Sequence, residues 1–308
     1  MLHRRLLLAL AATIFAASAL AGDGRVKAVA SFSILGDLVR EVGGDRVEVA
    51  TLVGANGDVH VYEPTPADAR KLGEADILFE NGLDFEGWLP RLIAASGFGG
   101  VRVVASAGVT PRGYGAHDDH DHHGHADHHH GPADPHAWQN VENVVIYVRN
   151  IAAALEKVDP DHAEAYRARA AAYTAKLEAL DATLKERFAA IPAARRKVVI
   201  SHDAFGYFGD AYGVTFVDPR GASTGGDASA ADVARIIDQI RSEGISAVFV
   251  ENIASPKLTD QIAVSTGAKI GGRLYSDALT TPDEPASTYL GLIESNARQI
   301  ISALTGAP

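Results

Sequence analysis

Short apolar runs alternate with stretches of helical periodicity along most of this chain. Residues 26–32, 47–53, 77–80 and 101–105 form four apolar runs rich in Val, Ile, Leu and Ala. Their length and β-branched content predict buried strands. Helical patterns lie between them at 34–42, 66–73 and 85–95. The second of these segments opens a helix by its chemistry as well as its pattern. In Thr65-Pro66-Ala67-Asp68, Thr65 can cap, Pro66 suits the first helical position and Asp68 falls in the first turn.

The alternation returns in the second half. Strand-like runs at 197–200, 214–217, 247–250 and 268–271 are followed by helical patterns at 203–212, 230–243, 256–266 and 286–304. Ser229 and Ser255-Pro256 mark two helix starts, and Gly213, Gly244 and Gly267 mark three ends. Strands that alternate with helices predict parallel sheets covered by helices. Between the halves, Tyr166, Ala170, Tyr173, Leu177, Leu180, Leu184 and Phe188 recur at three- and four-residue spacing. They make one apolar stripe on a helix over 160–190, about 45 Å long at 1.5 Å per residue. The expectation is an α/β protein of two similar lobes, each a mostly parallel sheet flanked by helices. One long rigid helix, 160–190, joins a first lobe at 22–159 to a second at 191–308. A cleft between two lobes is a common ligand site.

The first 21 residues read differently. His3, Arg4 and Arg5 precede an apolar, alanine-rich run ending in Ala19-Leu20-Ala21, the pattern of a cleaved secretory signal. The expected location is a periplasm, as a soluble protein. The sequence contains no cysteine, so disulfides, thiolate metal sites and a lipid on a cleavage-site cysteine are not expected. The formal net charge is −11, and it becomes more negative when Arg4 and Arg5 leave with the signal. Nucleic acid is therefore an unsuitable partner. A monomer is expected.

Histidine changes the picture most. Eight of the 13 histidines lie in one stretch, at His117, His120, His122, His123, His125, His128, His129 and His130, interleaved with aspartates. With almost no apolar residue, segment 117–130 is expected to be a mobile surface loop with weak, auxiliary metal affinity. His3 lies in the signal, and His162 reads as exposed helix surface. His60, His136 and His202 fall after predicted strands or ahead of predicted helices, where open α/β sheets bind ligands. Asp277 stands in the same kind of position. Three neutral imidazoles and a carboxylate form a set that Zn²⁺ accepts. Partial positive charge at a helix start is expected to keep His202 neutral. Glu251, Asp134, Glu63 and Asp58 are candidates to accept from the imidazole N–H groups behind the ion. Taken singly, each of these histidines reads more simply as a cap or packing residue.

Taken together they resemble a known family. Residues 57–66, Asp134-Pro135-His136-Ala137-Trp138, Ser201-His202-Asp203-Ala204-Phe205-Gly206-Tyr207-Phe208 and Tyr275-Ser276-Asp277-Ala278-Leu279 are similar, in the same order, to the four metal-ligand segments of the cluster A-I solute-binding proteins. These are periplasmic metal receptors of ABC importers. The resemblance covers the chain after the signal. It implies two lobes joined by a long helix, with ligands His60, His136, His202 and Asp277. Histidine in the third segment resembles the zinc branch, since manganese members usually have a carboxylate there. The histidine-rich segment also resembles that branch, and the lack of cysteine resembles its AztC-like members. It makes the Gly-, Ser- and Thr-rich stretch 221–228 the expected mobile loop of the second lobe.

The function implied is capture of Zn²⁺ and delivery to an inner-membrane ABC permease, with a periplasmic metallochaperone as a possible donor. The alternatives are a manganese receptor of the same family or a periplasmic zinc buffer or chaperone. No catalysis is expected. Four protein ligands leave no position for an activated water, and the short H-E-x-x-H pattern is missing.

Overall fold

The computed structural model describes residues 24–113, 133–218 and 229–306. The expected signal, the histidine-rich segment and the 221–228 stretch lie outside the described residues. Two four-stranded parallel sheets organise the rest. The first contains β1 (Val26–Phe32), β2 (Val47–Val53), β3 (Ile77–Glu80) and β4 (Val101–Val104) in the order β2-β1-β3-β4. The second contains β5 (Lys197–Val199), β6 (Thr215–Val217), β7 (Ala247–Glu251) and β8 (Lys269–Leu274) in the order β6-β5-β7-β8. The two orders are the same, so both lobes reverse direction between the first and third strand. In such sheets the crevice outside the carboxyl ends of the strands, at that reversal, is the natural ligand site.

The helices of the first lobe are α1 (Ser33–Gly43), α2 (Pro66–Gly73), α3 (Leu89–Ser96) and α4 (Val141–Val158). Those of the second are α6 (Gly206–Tyr212), α7 (Ala230–Glu243), α8 (Lys257–Thr266) and α9 (Tyr289–Thr305). Thr65 caps α2 as its sequence predicts. Its hydroxyl accepts from Asp68 N while Asp68 accepts from Thr65 N. Ser229 caps α7 in the same way through Asp232 N. The glycines at 213, 244 and 267 close α6, α7 and α8 in the left-handed conformation.

The joining helix α5 (Ala163–Ala189) is preceded by a short 3-10 turn, Pro160–His162. Its buried stripe is Tyr166, Ala170, Tyr173, Leu177, Asp181, Leu184 and Phe188. Leu180, expected in that stripe, is only half-buried, and Asp181 takes the inward position. Asp181 is tolerated there because it accepts from Tyr212 OH at 3.1 Å and pairs with Lys185 at 2.8 Å. Along its length α5 packs against α1 and α4 of the first lobe and α6 and α9 of the second. The rod is thus part of the shared core and is braced from both sides. His162, expected on an exposed helix face, is half-buried in the 3-10 turn, with Nδ1 2.8 Å from an Asp159 carboxylate oxygen.

Three expected helix starts are corrected. The helix over 85–95 begins at Leu89, that over 203–212 at Gly206 and that over 286–304 at Tyr289. The first delay has a local cause. Leu83 and Asp84 have φ values of 55° and 58°, a left-handed conformation that interrupts helix. The buried Glu86 carboxylate stabilises this turn by accepting from Asn81 N at 2.7 Å, Gly82 N at 3.3 Å and Ser31 Oγ at 2.6 Å. Ser255 is not the cap of α8 either; Pro256 holds that position.

Candidate metal centre

Each of the four expected ligands stands in a loop beyond a strand. His60 lies between β2 and α2, where its N–H donates to Asp58 Oδ1 at 2.9 Å. The preceding carbonyl, of Val59, accepts from Trp88 Nε1 at 3.1 Å. His136 precedes the 3-10 turn Ala137–Gln139 ahead of α4. Asp134 Oδ1 accepts from its backbone N at 2.9 Å and lies 2.8 Å from its Nδ1. His202 follows β5, and its Nδ1 is 2.7 Å from Glu251 Oε2 at the end of β7. The other oxygen of Glu251 accepts from Ser201 N at 2.9 Å, His202 N at 3.1 Å and the Ser201 hydroxyl. Asp277 follows β8; beside it, Ser276 O accepts from Trp138 Nε1 at 2.9 Å and Gln139 Nε2 at 2.8 Å.

These loops bring the four side chains to one point. His60, His136, His202 and Asp277 each present one ligand atom, all within 4.8 Å of one another. His60 Nε2 lies 3.3 Å from His136 Nε2 and 3.2 Å from Asp277 Oδ2. Asp277 Oδ2 lies 3.3 Å from His202 Nε2, and Oδ1 3.5 Å from His136 Nε2. With Nδ1 of His136 and His202 on carboxylates, their Nε2 atoms are the ones turned toward the shared point. The side chains of His136, His202 and Asp277 are fully buried, and that of His60 is 15% exposed.

Charge in this closed space is strongly coupled. Burial alone would lower the His202 pKa, but the carboxylates of Glu251 and Asp277 outweigh it and hold the imidazole well above its usual value. Burial alone would raise Asp277; the charges of His136 and His202 and bonds from His202 and His60 hold it well below the usual carboxylate range. Glu251 is likewise lowered, by His202 and Ser201 against the effect of burial. The expectation of a His202 kept neutral by a helix start is therefore overturned. The helix begins four residues later, at Gly206, and two buried carboxylates face the ring directly.

The residues behind the ligands divide. Glu251, at the end of β7, stands against His202, and Asp134 stands against His136. Glu63 does not belong to the site: its side chain is exposed and contacts no ligand. The neighbour that touches His60 is Asp58, through the backbone. His117 to His130 lie outside the described residues. Phe85 is a wall residue that periodicity does not reveal, because the pattern over 85–95 predicts helix. Its ring lies edge-on to His60 at 5.2 Å and to His136 at 5.9 Å. Only the left-handed turn at Leu83-Asp84 aims it there.

Glu251→Gln keeps the shape of this contact and removes the charge. The expected result is a ~10- to 100-fold loss of metal affinity, typical of partners behind a ligand. Chelator competition measures it; unchanged affinity would show that Glu251 serves the fold alone.

A family profile described as zinc-uptake complex component A, periplasmic, matches residues 28–303. The iron-binding protein YfeA of Yersinia pestis is 35% identical over 277 residues, covering 87% of this chain and 83% of its own. The manganese-binding lipoprotein MntA of Halalkalibacterium halodurans is 33% identical over 285 residues, covering 92% and 90%. Among solved structures, the periplasmic zinc binding protein TroA of Treponema pallidum is 28% identical. It superposes with a TM-score of 0.82 and covers 91% of this chain and 99% of its own. A manganese-bound periplasmic metal binding protein from Candidatus Liberibacter asiaticus is 30% identical, with a TM-score of 0.79 and coverage of 91% and 100%.

Proposed function

Since the chain belongs to the zinc-uptake complex component A family, substrate-binding components of metal ABC transporters and not enzymes, we propose that its cargo is Zn²⁺. His60, His136, His202 and Asp277 would hold the ion, and an inner-membrane permease with its ATPase would receive it. The observation that carries this reading is the spacing of the ligand atoms. With Asp277 Oδ2 as the carboxylate atom, three of the six separations are 3.2 to 3.3 Å, and all six lie within 4.8 Å. Ligands about 2.0–2.1 Å from a tetrahedral ion stand roughly 3.3–3.4 Å apart. Three imidazoles with one carboxylate also suit zinc better than the all-oxygen shells of calcium or magnesium.

A manganese receptor is the second reading, because relatives of similar identity are named for manganese and iron. Competition titration separates the two. One zinc is expected to bind with chelator-resistant affinity and to be retained against excess Mn²⁺; displacement by Mn²⁺ would assign the chain to manganese. A zinc buffer or chaperone differs in the cell, since it need not support permease-dependent uptake. Export to the periplasm rests on the signal-like residues 1–21. Several relatives are named lipoproteins, whereas this sequence offers no cysteine to carry a thioether-linked lipid.

The histidine-rich segment enters as an accessory. Its eight imidazoles add weak zinc equivalents near His136, and a metallochaperone would load the site through them. Deleting residues 117–130 is expected to remove those weak equivalents and leave one tight site by calorimetry. Loss of the tight site with the fold intact would make the segment a source of principal ligands.

A further inference from the structure

Asp277 comes from the second half of the chain, yet its loop is tied largely to the first lobe. Ser276 O accepts from Trp138 and Gln139. Leu279 N donates to Ser33 Oγ at 2.9 Å, and Leu279 O accepts from Asn56 N at 2.8 Å. Further on, Tyr289 N donates to Asp37 Oδ2 at 2.8 Å and Tyr289 OH donates to Trp138 O at 2.8 Å. His202 is held otherwise, by Glu251 within its own lobe.

Ser33 and Asp37 lie on α1 four residues apart, so they share one face of the helix. Both are buried, at 7% and 8% exposure. Their acceptors receive the N–H groups of Leu279 and Tyr289, which bracket the segment leaving Asp277. A buried carboxylate is costly unless paired, and an apolar residue would fill the Asp37 position at lower cost. The partner that Asp37 does have is the first N–H of α9, an unpaired donor at the positive end of a helix.

We infer that Ser33 and Asp37 are positioning residues for metal binding, which make the first lobe set where the Asp277 carboxylate stands. They do not touch the ion. They act by fixing both ends of the 279–289 segment against α1, so that the carboxylate is preformed opposite His60 and His136. This inference rests on the reading of the four-residue cluster as the metal site.

The test uses the full chain with Co²⁺ and Zn²⁺ as probes. The visible bands of Co²⁺ are intense in four-coordinate sites and weak when water enters to raise the coordination number. Ser33→Ala is expected to lower zinc affinity about 10-fold, the scale of one lost hydrogen bond. Ser33→Ala with Asp37→Ala should lower it further and weaken the Co²⁺ bands. Asp37→Asn retains an acceptor oxygen and should restore both in the Asp37 position. A purely structural role would reduce melting temperature and leave the Co²⁺ bands of the folded protein unchanged. Unchanged bands and affinity in Ser33→Ala, alone or with Asp37→Ala, overturn the inference. If the double variant does not fold, the Ser33→Ala bands decide. His60→Ala is the control. If it also binds metal normally, the metal site itself is misplaced; if it loses metal while the α1 variants do not, only the positioning role fails.

Discussion

Replacing Asp277 with alanine should lower zinc affinity by more than ~100-fold, beyond the usual cost of removing a partner behind a ligand. Asp277 is the one anion among the four ligands. Its two oxygens face all three imidazoles at 3.2 to 3.5 Å, and its side chain is fully buried. Water could fill the vacated coordination position, but it brings no charge to neutralise the ion in a closed, weakly polarisable space. A deletion at an exposed carboxylate would be forgiven more readily. Asp277→Asn separates the causes, because it preserves an oxygen and the shape while removing the charge. His202→Ala should be of similar severity, since it also removes the imidazole that faces the buried Glu251 Oε2. Chelator competition with each variant measures the effect. An Asp277→Ala protein within about threefold of the parent, less than 1 kcal/mol at 1.4 kcal/mol per tenfold, would remove Asp277 from the ligand set.

Acidification should release the metal, starting above the ordinary imidazole range of about 6.5. The metal-free protein holds a proton on His202 strongly, because Glu251 and Asp277 raise its pKa well above that value. Zinc must displace this proton, so binding releases it and affinity falls as pH drops through the raised pKa. Calorimetry in buffers of different ionisation enthalpy counts the protons released. No proton release near neutral pH, with affinity flat from pH 8 to 5, would exclude His202 as a ligand.

The same shifts determine the stability of the metal-free protein, with opposite signs. The raised pKa of His202 contributes stability that is fully present below about 6.5 and is lost as pH rises through the folded value. The lowered pKa values of Asp277 and Glu251 contribute stability present above about 4 and lost as pH falls through their folded values. Metal-free protein is therefore most stable in weak acid, and the loaded protein is favoured on the alkaline side. Thermal melts with and without zinc across this range would reveal the crossing trend.

The strands were legible because their signal is local. Val26–Phe32, Val47–Val53 and Ile77–Glu80 match their apolar runs to the residue; β1 and β3, inside the sheet, are buried along almost their whole length, which calls for a near-continuous apolar run. Thr65 and Ser229 were legible because a cap and its helix are neighbours in sequence. Phe85 was not. Its turn depends on Glu86 reaching Ser31, fifty-five positions away, and no window of sequence contains that contact. Glu63 failed for the complementary reason: proximity to His60 in sequence does not aim a side chain.

The sequence alone determined two parallel α/β lobes, a long helix between them and the four residues with metal-ligand chemistry, because composition, periodicity and motif are properties of short segments. Only the tertiary structure decided the charge state and the support of the site. The Glu251 and Asp277 carboxylates that face His202 raise its pKa, and the helix start, four residues on, does not set it. Asp277 stands where α1 and the 3-10 turn Ala137–Gln139 of the opposite lobe hold its loop. Both outcomes depend on burial and on contacts between residues far apart in the chain. Electrostatic strength and hydrogen-bond geometry are set by those distances, and sequence order does not contain them.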